Sequence, residues 1–205
     1  MPWRLPLSVL LLAVCGCMRN QANQVDPYRT LGHDPSRDAE AAVVRNAKAV
    51  ELMRDGNLEL AEKQLNEALQ ADLLCGPAHN NLGVVHFRQQ RFYLAAWEFQ
   101  YAAKLMPGKA EPRNNLGMVF EAVGKLGDAA KWYEEAHKLE PETVEVIGNL
   151  ARILVRTNRG DHRTRELLEE VVLRDQRPDW VTWARERLAL MGDATPAAST
   201  ATPTR

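Results

Sequence analysis

Apolar and small side chains recur along the middle of this chain with two superimposed periods. Within short segments they fall three or four residues apart, the spacing of one face of a helix. Between segments the whole pattern returns at an offset of 34 residues. At that offset Ala61, Ala95 and Ala129 form one column, Ala68, Ala102 and Ala136 a second, and Leu65, Phe99 and Tyr133 a third. In the segments before them Lys48, Leu82, Leu116 and Leu150 align, each followed by a small residue: Ala49, Gly83, Gly117 and Ala151. Turn positions align as well, at Gly56, Gln90 and Gly124. β-Branched runs are scarce, and glycine and proline come at intervals, so the pattern predicts helices joined by short turns. These helices are expected over residues 38–54, 58–71, 77–89, 92–105, 110–123, 126–139, 143–157, 161–174 and 178–191.

The columns have a packing meaning. Small residues let two helices of a hairpin approach closely, while Leu65, Phe99 and Tyr133 fill the space between hairpins. A single hairpin cannot bury such a face, whereas three or more stacked hairpins share one continuous core. The last segment places Trp180, Trp183, Leu188 and Leu190 beside Arg185, Glu186 and Arg187, the two-sided character of a capping helix. Pro178 at its start and Gly192 just past it suit those boundaries.

Residues 110–143 carry Leu116-Gly117, Phe120, Gly124, Ala129, Tyr133, Ala136 and Pro141 in the order of the tetratricopeptide repeat, which the chain resembles. Residues 76–109 are similar to it nearly as closely and end at Pro107. Residues 42–75 keep Gly56, Ala61, Leu65 and Ala68, with Lys48 in place of the leucine and Leu73 in place of the proline. A fourth unit, 144–177, starts at Leu150-Ala151 and needs one inserted residue near Gly160 and Asp161 to bring Thr164, Leu168 and Val171 into register. The resemblance implies an all-α, right-handed superhelical solenoid of about four hairpins plus a C-terminal capping helix at 178–191, a domain spanning 39–191. It also implies a concave groove lined by the first helix of each hairpin.

In that family one first-helix position points at the ligand, and here the resemblance puts Asn81, Asn115 and Asn149 there, with Ala47 in the first unit. An asparagine offers a carbonyl and an amide, enough to pair with a peptide unit without reading its sequence. Arg88, Arg152 and Arg156 would add contacts to carboxylates, and Phe87 and Met118 apolar ones. The alternative for the asparagines is hydrogen bonding across neighbouring hairpins. A dicarboxylate clamp fits less well, because Ala47 and Lys48 break its spacing.

Composition narrows the partner. With 26 Lys and Arg against 27 Asp and Glu, no net field gathers nucleic acid, so a protein or extended peptide recognised by local shape is expected. His33, His79, His86, His137 and His162 lack the spacing of a zinc site, and no phosphate loop or nucleophile elbow appears; no metal, no cofactor and no enzymatic activity are expected. Residues 1–17 form a signal-like segment: Arg4, a short apolar run over 5–14, then Val14-Cys15-Gly16-Cys17. That ending resembles a bacterial lipoprotein signal, with Cys17 the acylated residue carrying diacylglycerol and a palmitate-type chain. An ordinary secretory cleavage site and an uncleaved anchor are the other readings. Residues 18–38 are polar and read as a tether, and 192–205, rich in Ala, Thr, Pro and Ser, as a disordered tail. The expected role is a protein-binding scaffold held at the bacterial cell envelope, at the outer membrane in a two-membrane cell, in pilus, secretin or outer-membrane assembly. The alternatives are a substrate-presenting accessory of an envelope enzyme and a soluble cytoplasmic regulator.

Overall fold

The computed structural model describes residues 37–157 and 160–192. The signal-like segment, Cys17, nearly all of the tether and all of the tail beyond Gly192 lie outside the described residues. Among the described residues the chain forms nine helices: α1 (Ala39–Arg54), α2 (Leu58–Ala71), α3 (Gly76–Arg88), α4 (Phe92–Leu105), α5 (Glu111–Ala122), α6 (Leu126–Leu139), α7 (Val144–Arg156), α8 (His162–Arg174) and α9 (Pro178–Gly192). Every bound lies within one residue of the expected helix. The starts have physical causes. Asp38 Oδ1 accepts from the Ala41 N–H at 2.9 Å and Asp161 Oδ1 from the Thr164 N–H at 2.9 Å, each satisfying a free first-turn donor. Pro77 and Pro112 fall in the first turn of α3 and α5, where a missing N–H costs nothing.

The helices pair as antiparallel hairpins α1–α2, α3–α4, α5–α6 and α7–α8, and α9 packs on α8. This is a tetratricopeptide-type solenoid of four hairpins and a capping helix. Close approach inside hairpins is visible at two glycines. A Cβ on Gly83 would stand 2.6 Å from Phe99 Cε1, and one on Gly117 would stand 2.5 Å from Tyr133 Cε1. The outer hairpins have alanine opposite a smaller side chain: Ala49 shares a fully buried cluster with Leu65, and Ala151 with Leu168. Thr164, Leu168 and Val171 are fully buried, so the longer connection after α7 does restore the register of the fourth hairpin.

The departures in the first unit follow from its place at the end of the stack. Leu82, Leu116 and Leu150 are buried because a preceding hairpin covers them; at the same repeat position Lys48 is exposed, as is Glu51 at the position of Val85, Val119 and Ile153. A terminal hairpin needs a polar outer face. The three aligned turn residues Gly56, Gln90 and Gly124 share one left-handed backbone conformation, with φ of 78°, 60° and 75°.

Candidate functional site

On the first helices, residues three and seven places after each asparagine position lie on the same face. This gives one stripe with five rows: Ala47, Val50 and Arg54 on α1; Asn81, Val84 and Arg88 on α3; Asn115, Met118 and Ala122 on α5; Asn149, Arg152 and Arg156 on α7; Trp183, Glu186 and Leu190 on α9. The asparagines are linked to each other. Asn81 Nδ2 donates to Asn46 Oδ1 at 2.8 Å, Asn115 Nδ2 to Asn80 Oδ1 at 3.0 Å, and Asn149 Nδ2 to Asn114 Oδ1 at 2.9 Å. Each stripe asparagine therefore uses one amide proton to bind the preceding hairpin. The partners Asn80 and Asn114 are buried, and Asn80 also donates to Glu111 Oε1 at 2.8 Å. The ladder ends where its pairing would need a fifth hairpin: Gly148 stands in place of the next accepting asparagine, and a Cβ there would meet Trp180 Cζ3 at 2.9 Å.

The arginines fall into two groups. Arg152 donates to Glu121 Oε2 at 2.8 Å and to Asn149 Oδ1 at 3.1 Å, and Arg156 donates to Glu121 Oε1 at 2.5 Å. The buried Tyr133 hydroxyl donates to the same carboxylate at 2.8 Å. Burial, and then the charge of Glu121 and the bond to it, raise the Tyr133 phenol well above its ordinary range, so it stays a neutral donor. Arg152 also lies over the Trp180 ring at 5.1 Å, and Arg177 does so at 4.5 Å. Arg177 is in turn paired with Asp175 at 2.6 Å, whose carboxyl that guanidinium holds below the usual carboxylate range. Arg88 differs. It donates to the Met53 carbonyl at 2.9 Å and forms no ion pair among the described residues.

Two cavities open along the stripe. The first, of about 220 Å³, is lined by Val84, Phe87, Arg88, Phe99, Asn115 and Met118, so it joins four of the residues expected at the site. Phe87 is set there by an edge-on contact with Phe92, ring centroids 5.6 Å apart. The second, of about 210 Å³, is lined by Arg152, Asp179, Trp180 and Trp183 between α7 and α9. Asn81, Asn149 and Arg156 line neither.

The repeat geometry and the sequence comparisons converge. A family model described as tetratricopeptide repeat matches residues 46–112. Residues 46–112 carry the tetratricopeptide repeat, and the fold of the described residues is that of a tetratricopeptide-repeat solenoid. Solved structures with this repeat fold include the first TPR of Spaghetti (RPAP3) bound to HSP90 peptide SRMEEVD, 23% identical, covering 61% of this chain and 99% of that one with a TM-score of 0.58. PilF of Pseudomonas aeruginosa is 22% identical, covering 80% of this chain and 78% of that one, TM-score 0.63. An O-GlcNAc transferase mutant of Thermobaculum terrenum is 27% identical over 67% of this chain but only 27% of its own length, TM-score 0.62. No curated protein matches significantly.

Several residues lining the stripe and its cavities carry little signal in the sequence. Glu121, which holds two of the three arginines, and Asp179 belong to no repeat column, and Trp180 reads only as part of the cap. The paired asparagines do have a signal: Asn80-Asn81 and Asn114-Asn115 repeat at the 34-residue offset, with Asn46 and Asn149 at the two ends. Of the described histidines, His79 and His86 are buried, whereas His162 is exposed. His79 is buried with Nδ1 2.6 Å from Glu98 Oε2 and Nε2 2.9 Å from the Leu73 carbonyl, tying α4 and the α2–α3 turn to α3. Among the described residues no three His, Cys, Asp or Glu side chains gather as metal ligands, and no helix is long and apolar enough to cross a membrane.

Proposed function

We propose that this tetratricopeptide-repeat domain is a non-catalytic docking scaffold that holds an extended segment of another protein along the stripe of its first helices. The observation that carries this is the first cavity, where Phe87, Arg88, Asn115 and Met118 from two neighbouring hairpins converge on one open space. The stripe asparagines contribute in two ways. One amide proton of each fixes the spacing of adjacent hairpins, and the Oδ1 atoms of Asn81 and Asn115 stay on the stripe for a peptide N–H. A chain of the same fold holding a peptide, the first TPR of Spaghetti, supports a peptide as the ligand class.

The scaffold works at the bacterial cell envelope, anchored through a lipid on Cys17. The apolar run over 5–14 ending in Gly16-Cys17 supports this, since a small residue before cysteine is what acylation needs. Acyl chains in pairs hold a protein firmly, leaving the repeats free to capture an envelope component such as a pilus or secretin subunit.

A steric block tests the groove. Ala47 and Ala122 are exposed on the stripe and enter no buried cluster. The double variant Ala47→Trp, Ala122→Trp is expected to keep the wild-type melting curve yet lose at least about tenfold in affinity-captured partner. Undiminished capture contradicts the groove. Intact mass of the native protein tests the anchor: a diacylglyceryl and acyl adduct on Cys17 is expected, and an unmodified Met1 start contradicts it.

A further inference from the structure

Resting on the groove reading, we propose that the stripe is a two-anchor site for an extended segment whose two apolar side chains stand about five or six residues apart, with a carboxylate beside the first. Two cavities of matched size carry this. The first has Val84, Phe87, Phe99 and Met118 in its lining, and the second has Trp180 and Trp183, whose rings meet edge to face at 5.8 Å, beside Arg152 and Asp179. Each volume suits one leucine- to phenylalanine-sized side chain. Both cavities have an arginine at the rim, but the two arginines differ in what they can still bind. Arg152 is held by Glu121 and stacked on Trp180, so it closes the second pocket as a wall. Among the described residues Arg88 hydrogen-bonds only to a neutral carbonyl, which leaves most of its five donors for an incoming carboxylate.

The spacing follows from the fold. The first cavity lies between α3 and α5, and the second between α7 and α9, two first-helix steps further along. Neighbouring packed helices stand about 8–10 Å apart, which sets the pockets about 16–20 Å from each other. At about 3.3 Å per residue an extended chain covers that span in about five or six residues. The intervening floor includes Asn115 and Met118, and Asn115 Oδ1 stays available to an N–H of the connecting backbone.

The capping helix therefore does two jobs. Trp183 occupies the repeat position of Asn81, Asn115 and Asn149, and Trp180 fills the space over Gly148. The exchange of a fourth asparagine rung for tryptophan closes the stack and turns its end into an aromatic pocket.

The test uses the full chain and fluorescein-labelled peptides of Gly and Ser carrying one Asp and two Phe separated by two to nine residues, read by fluorescence anisotropy. Affinity is expected to peak at a separation of five or six. Trp183→Ala and Met118→Ala should each weaken the peak peptide about tenfold and flatten the dependence on separation, with melting curves confirming folded variants. Arg88→Ala should weaken the Asp peptide and leave its Asn counterpart unchanged. Equal affinity at all separations, with binding still blocked by the Ala47→Trp, Ala122→Trp pair, overturns the two anchors and leaves the groove reading intact. Failure of every peptide to bind also overturns the anchor pair, while the groove itself stands or falls by capture of its natural partner.

Discussion

Gln90 holds a left-handed backbone at φ 60°, where its repeat equivalents are glycines. That conformation costs an L-residue about 1–2 kcal/mol, of which about half is offset because glutamine loses less freedom on folding than glycine. Gln90→Gly is therefore expected to raise the unfolding free energy by about 0.5–1 kcal/mol, and Gly124→Ala to lower it by about 1 kcal/mol, both read as shifts in urea midpoint at constant m. No atom outside the chain neighbours stands within 4 Å of a Cβ built on Gly124, so that loss would come from the backbone alone. The aligned turn residues made this position legible in the sequence. Glu121 was not legible. It sits at the repeat position of Met53, Phe87 and Val155, and only folding brings Tyr133, Arg152 and Arg156 around its carboxylate.

At the scale of a hairpin, the small residue of the first helix and the large one of the second vary together. Glycine faces the rings of Phe99 and Tyr133, and alanine accompanies Leu65 and Leu168. Their sizes sum to a near-constant gap because interiors are packed to fixed density. Gly117→Ala is expected to destabilise by about 1–3 kcal/mol through the 2.5 Å clash with Tyr133, despite the better helix propensity of alanine. Adding Tyr133→Leu recreates the outer-hairpin pair, so the double variant should be more stable than the sum of single losses by about 1–2 kcal/mol in a denaturation cycle. Helix bounds were readable to within one residue because caps, prolines and turn residues repeat with the apolar period. The function of Trp180 was less readable. A helical pattern shows that one side of α9 is apolar, but the missing side chain of Gly148 gains meaning only when α7 and α9 are seen to meet.

Across the described repeats, the asparagine ladder and the stripe divide the work of the first helices. Asn46, Asn80 and Asn114 receive the bonds that hold successive hairpins in register, and the residues three and seven places beyond the stripe asparagines face outward as a mixed apolar and cationic surface. Of the two readings of the asparagines offered by the sequence, the bonds between neighbouring hairpins are present, and the peptide-holding role belongs to the proposal, on the Oδ1 atoms of Asn81 and Asn115. Periodicity could place those side chains on a face, but it could not say how many of their donors neighbouring hairpins consume. The same limit hid the internal partner of Arg152 and Arg156, which leaves Arg88 as the one of the three expected arginines with no ion pair among the described residues.

The central claim is that a partner polypeptide lies along this stripe. Site-specific photo-cross-linking tests it most directly, with benzoylphenylalanine at exposed Ala122 on the stripe and, as the opposite-face control, at exposed Gln100 on α4. The account predicts a discrete adduct from Ala122 that is absent at Gln100 and disappears when Ala47 is changed to Trp. Adducts of equal yield at both positions, or at Gln100 alone, would contradict it.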